Sequence, residues 1–267
     1  SSDLLKLSEA SIRRFLNPEL DLDFEIYDTI DSTNNRCSQK AMDPETKTPL
    51  VVISDSQKAG HGRYGRPFAS PVGGGIYISI LLDNDDPDFN PGLLTTATAI
   101  AVTRTIEKLV HARCEIKWVN DVLVDGKKIV GILCEVGPDG HSIVVGIGIN
   151  LAQPQEYFDA AGLPHGTSLA LQGVPVDMDT DPEWLAQYMT DFGFDRALYT
   201  YEAEGFAPYR ERYKALCVNL GRRVTYDGGA GTAVDVDDEG RLIVRDETGD
   251  TRVFTGEVSV KGIYGAV

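Results

Sequence analysis

The dipeptide Asp125-Gly126 falls between two apolar, β-branched runs, Val122-Leu123-Val124 and Ile129-Val130. Both central positions of a two-residue hairpin favour positive φ, which Asp and Gly tolerate well, so this stretch predicts a tight antiparallel pair near the middle of the chain. Other strand-like runs lie at 24–27, 50–54, 76–82, 114–119, 121–124, 128–136 and 142–151. Between them Leu94, Ala97, Ala101, Thr105 and Leu109 recur at helical spacing, widened by Val102, Ile106 and Val110, and predict a helix over 93–110. Residues 8–16 predict a short helix with Ser8 as N-cap and Pro18 beyond its end. A second helical block starts at Asp181-Pro182-Glu183 and runs to about Leu216, with Gly193 and Ala207-Pro208 expected to break it.

After Asn219 the texture changes. Five short strand-like runs, 222–226, 232–236, 241–245, 251–255 and 257–260, are separated by Gly and Asp turns and predict a small barrel. The expected organisation is therefore two units, 1–218 and 219–267. A chain of 267 residues can bury roughly 70–75% of its surface, so it needs neither metal nor disulfide as a staple.

Charge and cysteine usage narrow the function classes. With 25 Lys+Arg against 41 Asp+Glu, the net charge is −16, a poor starting point for neutralising nucleic-acid phosphates. The run Asp83-Asn84-Asp85-Asp86-Pro87-Asp88-Phe89 is expected to be a solvated acidic loop. Cys37, Cys114, Cys134 and Cys217 show no C-x-x-C spacing and only 4 His accompany them, so reduced thiols in a cytoplasmic protein are expected. No apolar run approaches the ~18–20 residues of a membrane helix. The start, Ser1-Ser2-Asp3-Leu4-Leu5-Lys6, lacks the basic and apolar regions of a signal peptide.

Four local clusters could carry chemistry. In Gln57-Lys58-Ala59-Gly60-His61-Gly62-Arg63-Tyr64-Gly65-Arg66-Pro67-Phe68, glycines allow close backbone approach to an anion and arginines supply planar permanent charge. Taken alone, the segment also fits a flexible turn. It lacks the Gly-Lys-Ser/Thr ending of a Walker A loop. Lys117-Trp118-Val119-Asn120-Asp121 ends a strand, and the hairpin returns Lys128 to its neighbourhood; a turn followed by a solvated lysine pair would look the same. Asp31-Ser32-Thr33-Asn34-Asn35 is either a plain helix cap or a cluster of small hydroxyl and amide groups suited to a neutral polar ligand. The glycines of Val144-Val145-Gly146-Ile147-Gly148-Ile149-Asn150-Leu151 bare one face of a strand, for a ligand or for tight backbone packing.

In series, these clusters, with Lys128-Ile129-Val130-Gly131-Ile132 and the closing Phe254-Thr-Gly-Glu-Val-Ser-Val260, resemble the biotin protein ligase family over about residues 24–262. The resemblance implies an α/β (α+β) catalytic domain like that of class II aminoacyl-tRNA synthetases, with mixed sheet and flanking helices, and an SH3-like C-terminal barrel. It implies that biotin and ATP, with Mg²⁺, give biotinyl-AMP and pyrophosphate. Biotin then passes to a lysine of a biotin carboxyl carrier protein or domain. Joining a carboxylate to an α-phosphate brings two anions together, so neutralisation and alignment dominate the barrier.

By that resemblance Lys128, Arg63, Asp121 and Lys117 are the catalytic candidates, with Lys128 on the carboxylate. Ser32, Thr33, Asn34 and Gln57 would face the ureido end of biotin. Gly60, His61, Gly62 and Arg63 of the loop would also contact biotin, and Gly131, Gly146 and Gly148 would let its ring and chain pack closely. Arg63, Arg66, Phe68, Lys117, Asn120, Asp121 and Asn150 would hold ATP and the adenylate, with Asp121 also at Mg²⁺. Three positions depart from the family pattern. His61 stands where Arg is usual, replacing permanent charge by a side-chain type that titrates near neutrality; Phe68 stands where Trp is common, and Val119 where Pro is usual.

About twenty residues precede the first strand, too few for a helix-turn-helix module, so a ligase without a DNA-binding domain is expected. Neither nucleic acid nor membrane is an expected partner, and monomer and homodimer both stay open. The nearest rival is a lipoate or octanoate ligase or transferase, whose apolar acids would leave Ser32, Thr33, Asn34 and Gln57 unpaired. A non-catalytic biotin sensor would leave the ATP-directed residues unexplained.

Overall fold

A computed structural model describes residues 7–84, 90–176, 181–201, 206–254 and 256–264. Most of the acidic loop expected at 83–89 lies outside them. The N-terminal helix α1 (Glu9–Arg13) is capped by Ser8, whose hydroxyl accepts from the Ser11 amide. Strand β1 (Asp23–Tyr27) leads through α2 (Thr33–Ala41) to β2 (Leu50–Ser54) and β3 (Gly75–Leu82). Helix α3 (Pro91–Val110) then precedes β4 (Glu115–Lys117), β5 (Asp121–Val124), β6 (Lys127–Val136) and β7 (Ile143–Asn150).

These strands form one mixed sheet in the order β1-β2-β3-β7-β6-β5-β4. Only β1 and β2 run parallel; every other neighbour is antiparallel. The hairpin between β5 and β6 has φ 49° at Asp125 and φ 70° at Gly126, the positive pair that its sequence predicts. Trp118–Val119 and Thr48–Pro49 are cis peptides.

Period-two alternation assigns the two faces of the sheet. Ile76, Ile78 and Ile80 of β3, Val130 and Ile132 of β6, and Val145, Ile147 and Ile149 of β7 join the main core. Helices α3 and α5 (Asp181–Tyr201) belong to this core layer. Buried Asp191 links them, accepting from Thr105 at 3.2 Å and Gln187 at 2.9 Å and pairing with Lys108. On the opposite face, Tyr77, Ser79, Gly131, Glu135, Gly146, Gly148 and Asn150 point away from that core, and α2 lies there, bound to β1 by a bidentate Arg36–Glu25 pair at 2.6 and 3.1 Å.

One sequence expectation fails here. Gly193 does not break α5, which is continuous through it; a Cβ at this position would meet Leu20 Cδ2 at 2.8 Å, so the glycine serves helix packing. The break at Ala207-Pro208 is present, and α6 (Ala207–Leu216) starts there. It leads into β8 (Arg223–Tyr226), β9 (Gly229–Val236), β10 (Leu242–Asp246), β11 (Gly249–Val253) and β12 (Val258–Val260). These make a five-stranded antiparallel sheet in the order β11-β10-β9-β8-β12. Trp118 ties it to the central sheet: the indole donates to Gly240 O at 2.9 Å and the backbone amide to Asn219 Oδ1 at 2.8 Å.

Candidate active site

A cavity of about 480 Å³ opens on the face of β3, β7 and β6 that carries the glycines. Nearly every residue expected at the site lines it: Ser32, Thr33, Asn34, Gln57, His61, Gly62, Arg63, Arg66, Phe68, Lys117, Asn120, Asp121, Lys128, Gly131, Gly146, Gly148 and Asn150. Gly60 is the one outside this lining. A Cβ there would meet Phe68 O at 2.6 Å and Ser70 Oγ at 2.9 Å, so its lack of a side chain serves loop packing.

The end nearest α2 is polar. Ser32 caps the helix, so its hydroxyl accepts from the Asn35 amide at 3.4 Å. Gln57 Oε1 accepts from the Thr33 amide at 2.8 Å and the Thr33 hydroxyl at 3.1 Å. Ser79 Oγ, fully buried, lies 2.7 Å from Thr33 Oγ1 and 2.6 Å from Asn34 Oδ1. The Asn34 amide donates at 2.8 Å to Glu135, whose carboxylate also faces His61 Nε2 at 3.8 Å. Each polar group is thus held in a fixed orientation, as a buried network needs in order not to cost stability.

The middle is apolar. Gly131 and Gly148 are direct cross-strand partners, and the Phe68 ring lies against both. A Cβ at Gly148 would sit 2.2 Å from the ring, and one at Gly131 2.8 Å. A Cβ at Gly146 would collide with Asn34 Oδ1 at 2.1 Å. Phe68 and Asn34 lie against these glycines, which line the cavity together with them. Phe68 also packs edge-on against Tyr77, with centroids 6.4 Å apart.

The far end is cationic. Lys128, returned by the hairpin, places Nζ 2.7 Å from Asp121 Oδ1. Burial pushes the Asp121 carboxyl up, but Lys128, Lys117 and a hydrogen bond from Tyr264 outweigh it and hold the group below the usual carboxylate range. Burial, opposed by Asp121 and Glu257 and reinforced by Lys128 and Arg63, holds the Lys117 ammonium below its ordinary value.

The loop closes on itself through Gly62 N to Arg66 O and Phe68 N to Gly60 O, both 2.8 Å, with Tyr64 (φ 59°) and Gly65 (φ 67°) making the tip. Arg63 reaches inward to Asn120 Oδ1 at 3.2 Å and to Gly256 O at 3.1 Å. Exposed Arg66 pairs with Glu257.

Asp121, expected also at Mg²⁺, faces side chains of the chain itself. Its two oxygens are engaged by Lys128 and Tyr264, and no cluster of three or more His, Cys, Asp or Glu able to hold a metal occurs among the described residues.

Sequence reasoning missed Ser79, Glu135, Glu257 and Tyr264. Ser79 had a signal, a lone hydroxyl inside the apolar run 76–82. Glu135 and Glu257 had none beyond alternation in a strand and a place in the closing motif, and Tyr264 none at all.

A cavity with a polar end, an apolar bed and paired lysines beside an arginine-bearing glycine loop, built on this mixed sheet, defines the class of the biotin and lipoate ligases. Residues 26–150 match the Biotin/lipoate A/B protein ligase family, and residues 220–261 match the Biotin protein ligase C terminal domain. The bifunctional ligase/repressor BirA of Bacillus subtilis is 30% identical over 263 residues, covering 96% of this chain and 79% of that protein. The biotin–[acetyl-CoA-carboxylase] ligase of Paracoccus denitrificans is 30% identical over 243 residues, covering 87% of this chain and 98% of the relative. The chain belongs to the biotin protein ligase family. Its fold is that of the Aquifex aeolicus biotin protein ligase solved with biotin and ATP, at a TM-score of 0.74 and 24% identity, covering 90% of this chain and 98% of the other.

Proposed function

We propose that this chain is an ATP-dependent biotin protein ligase. It joins biotin to ATP as biotinyl-5′-AMP and then transfers biotin to the lysine ε-amine of a biotin carboxyl carrier protein or domain. The observation that carries this reading is the order of chemistries along the cavity. Hydroxyl and amide groups stand beside Gly146, the Phe68 ring beside Gly148 and Gly131, and Lys128 beyond Gly131, where an added Cβ would lie 3.5 Å from its Cε. Biotin has the same order: a ureido head, an apolar ring and chain, and a carboxylate. An acid with an apolar end would set methylene groups against this polar end and gain no hydrogen bond from it, whereas a ureido head supplies donors and an acceptor.

In the first step a carboxylate oxygen attacks the α-phosphorus and the bond to the β-phosphate oxygen breaks, releasing pyrophosphate. Lys128 holds the carboxylate, while Arg63, Arg66 and Lys117 lower the repulsion between the two anions. Asn120 steadies Arg63 through its amide oxygen, and Asn150 and Phe68 bound the adenylate. In the second step an uncharged lysine nitrogen attacks the acyl carbon and AMP leaves. Magnesium enters as MgATP, a co-substrate whose metal is held mainly by phosphate oxygens and water.

The acceptor is a carrier protein, and the place of action is the cytoplasm. No described helix is long and apolar enough to cross a membrane. The net charge of −16 supports a role without nucleic acid.

The test is mass spectrometry of the purified chain after incubation with MgATP and biotin, with lipoate and octanoate in parallel. Biotinyl-AMP and pyrophosphate are expected with biotin alone. An adenylate formed only from lipoate or octanoate would overturn the substrate assignment, and biotin binding without any adenylate would overturn the enzyme assignment.

A further inference from the structure

The segment after β12 turns back towards the cavity. Gly262 (φ 80°) and Tyr264 (φ 56°) both occupy the left-handed region, a conformation that costs a non-glycine residue roughly 1–2 kcal/mol. The Tyr264 side chain has contacts that offset this cost. Its hydroxyl donates to Asp121 Oδ2 at 3.1 Å. Its ring lies beneath Lys117 Nζ, 5.2 Å from the centroid, and stacks on the His165 ring at 4.9 Å and 16°. Burial and the neighbouring Asp121 push the phenol far up from its ordinary value, so it stays a donor.

We infer that Tyr264, supplied by the C-terminal unit, is a positioning residue for acid activation that sets both cavity lysines at once. The inference rests on the ligase reading. Asp121 is a shared acceptor, with Oδ2 taken by Tyr264 and Oδ1 2.7 Å from Lys128 Nζ. While the phenol donates, it takes up part of the carboxylate's negative charge and leaves Lys128 able to reach a ligand carboxylate. Without that hydrogen bond, Asp121 holds Lys128 more tightly and competes with the ligand. The ring has a separate role, giving the Lys117 ammonium a π-face in a place where water is scarce.

Two functions on one side chain give two distinguishable variants. Tyr264→Phe keeps the ring and removes the donor; Tyr264→Ala removes both. The experiment measures pyrophosphate release on the full chain, with biotin and MgATP each varied, alongside thermal melting of each variant. For Tyr264→Phe the expected result is a 5- to 10-fold higher KM for biotin, an unchanged KM for ATP and an unchanged melting temperature. For Tyr264→Ala the KM for ATP rises as well, because Lys117 loses its support.

The proposal is overturned if Tyr264→Phe matches the wild type in both KM values. It is equally overturned if both KM values rise together with a lower melting temperature, the pattern of a merely structural tyrosine. An inactive wild type would instead defeat the ligase reading. In that case isothermal titration of biotin into the wild type and Tyr264→Phe still decides the positioning role, because weaker biotin binding by the Phe variant supports it and equal binding removes it.

Discussion

Arg63 shows how one side chain joins two parts of the site. Its guanidinium donates to Asn120 beside Lys117 and Asp121, and to the Gly256 carbonyl of the C-terminal unit. A phosphate lying over this fork would gain charge-assisted hydrogen bonds, whose loss costs about 1.5–3 kcal/mol. Arg63→Ala should therefore speed dissociation of the adenylate by roughly 10- to 100-fold, measured by competition with excess unlabelled ligand. An unchanged off-rate would remove the arginine from that role. Asp121 makes a prediction about pH. Its folded-state pKa is lowered, so its contribution to stability is complete above the ordinary carboxylate range and is lost as pH falls through the lowered value. Asp121→Asn should be less stable than wild type by about 1–3 kcal/mol near neutrality, with the gap closing below about pH 4. Urea midpoints at pH 7 and pH 3 check it; a gap of equal size at both would mean that the carboxylate acts by shape and not by charge. At this scale the motif residues were legible only in series, since the loop of glycines and arginines taken alone also fits a flexible turn. Tyr264 was not, since its meaning comes from a turn that brings sequence-distant Asp121 within 3.1 Å.

Among the elements, β7 carries the most information. Its isoleucines and Val145 fill the core face, and on the other face Val144 packs with Cys37 and Leu81 while Gly146 and Gly148 stay flat, so one strand both closes the interior and floors the cavity. Gly148→Ala would press a methyl group 2.2 Å from the Phe68 ring, and overpacking of this kind typically costs about 1–3 kcal/mol. The expected outcome is a lower melting temperature and a weaker biotin site. Phe68→Ala in the same chain should restore much of the lost stability, because it removes the other half of the clash. Additive losses in the double variant would show that the strain falls elsewhere. The sequence announced the Asp125-Gly126 hairpin and the bare glycines through local backbone chemistry. It misjudged Gly193, where helix propensity argued for a break but packing against Leu20 decided the outcome.

Across the whole molecule, the change of texture after Asn219 marks a change of sheet, but the core does not stop there. Val224, Ala233, Val236, Leu242, Val244, Val258 and Val260 of the C-terminal sheet belong to the same buried cluster as the isoleucines of β3 and β7. Polar ties reinforce that continuity. Arg210 donates to Val236 O at 2.7 Å and to Asp235 at 2.8 Å, and Lys214 pairs with the same Asp235 at 2.8 Å. Local sequence patterns show where strands lie but not which of them share a core, so this coupling was hidden until the fold was known. The two units should therefore unfold together, as one calorimetric transition whose van't Hoff and calorimetric enthalpies agree. Trp118→Phe provides the sharper test, because it strips the donor from the buried Gly240 carbonyl while keeping most of the ring. Losing that bond costs about 1–3 kcal/mol, and each kcal/mol lowers the melting temperature of a chain this large by roughly 2–4 °C. The single transition should shift down as a whole. If it splits in two, the indole is the main tie between sheets that otherwise fold alone; two transitions already present in the wild type would mean that the shared core does not couple them, and that the C-terminal segment bearing Tyr264 can leave the active site without unfolding the rest.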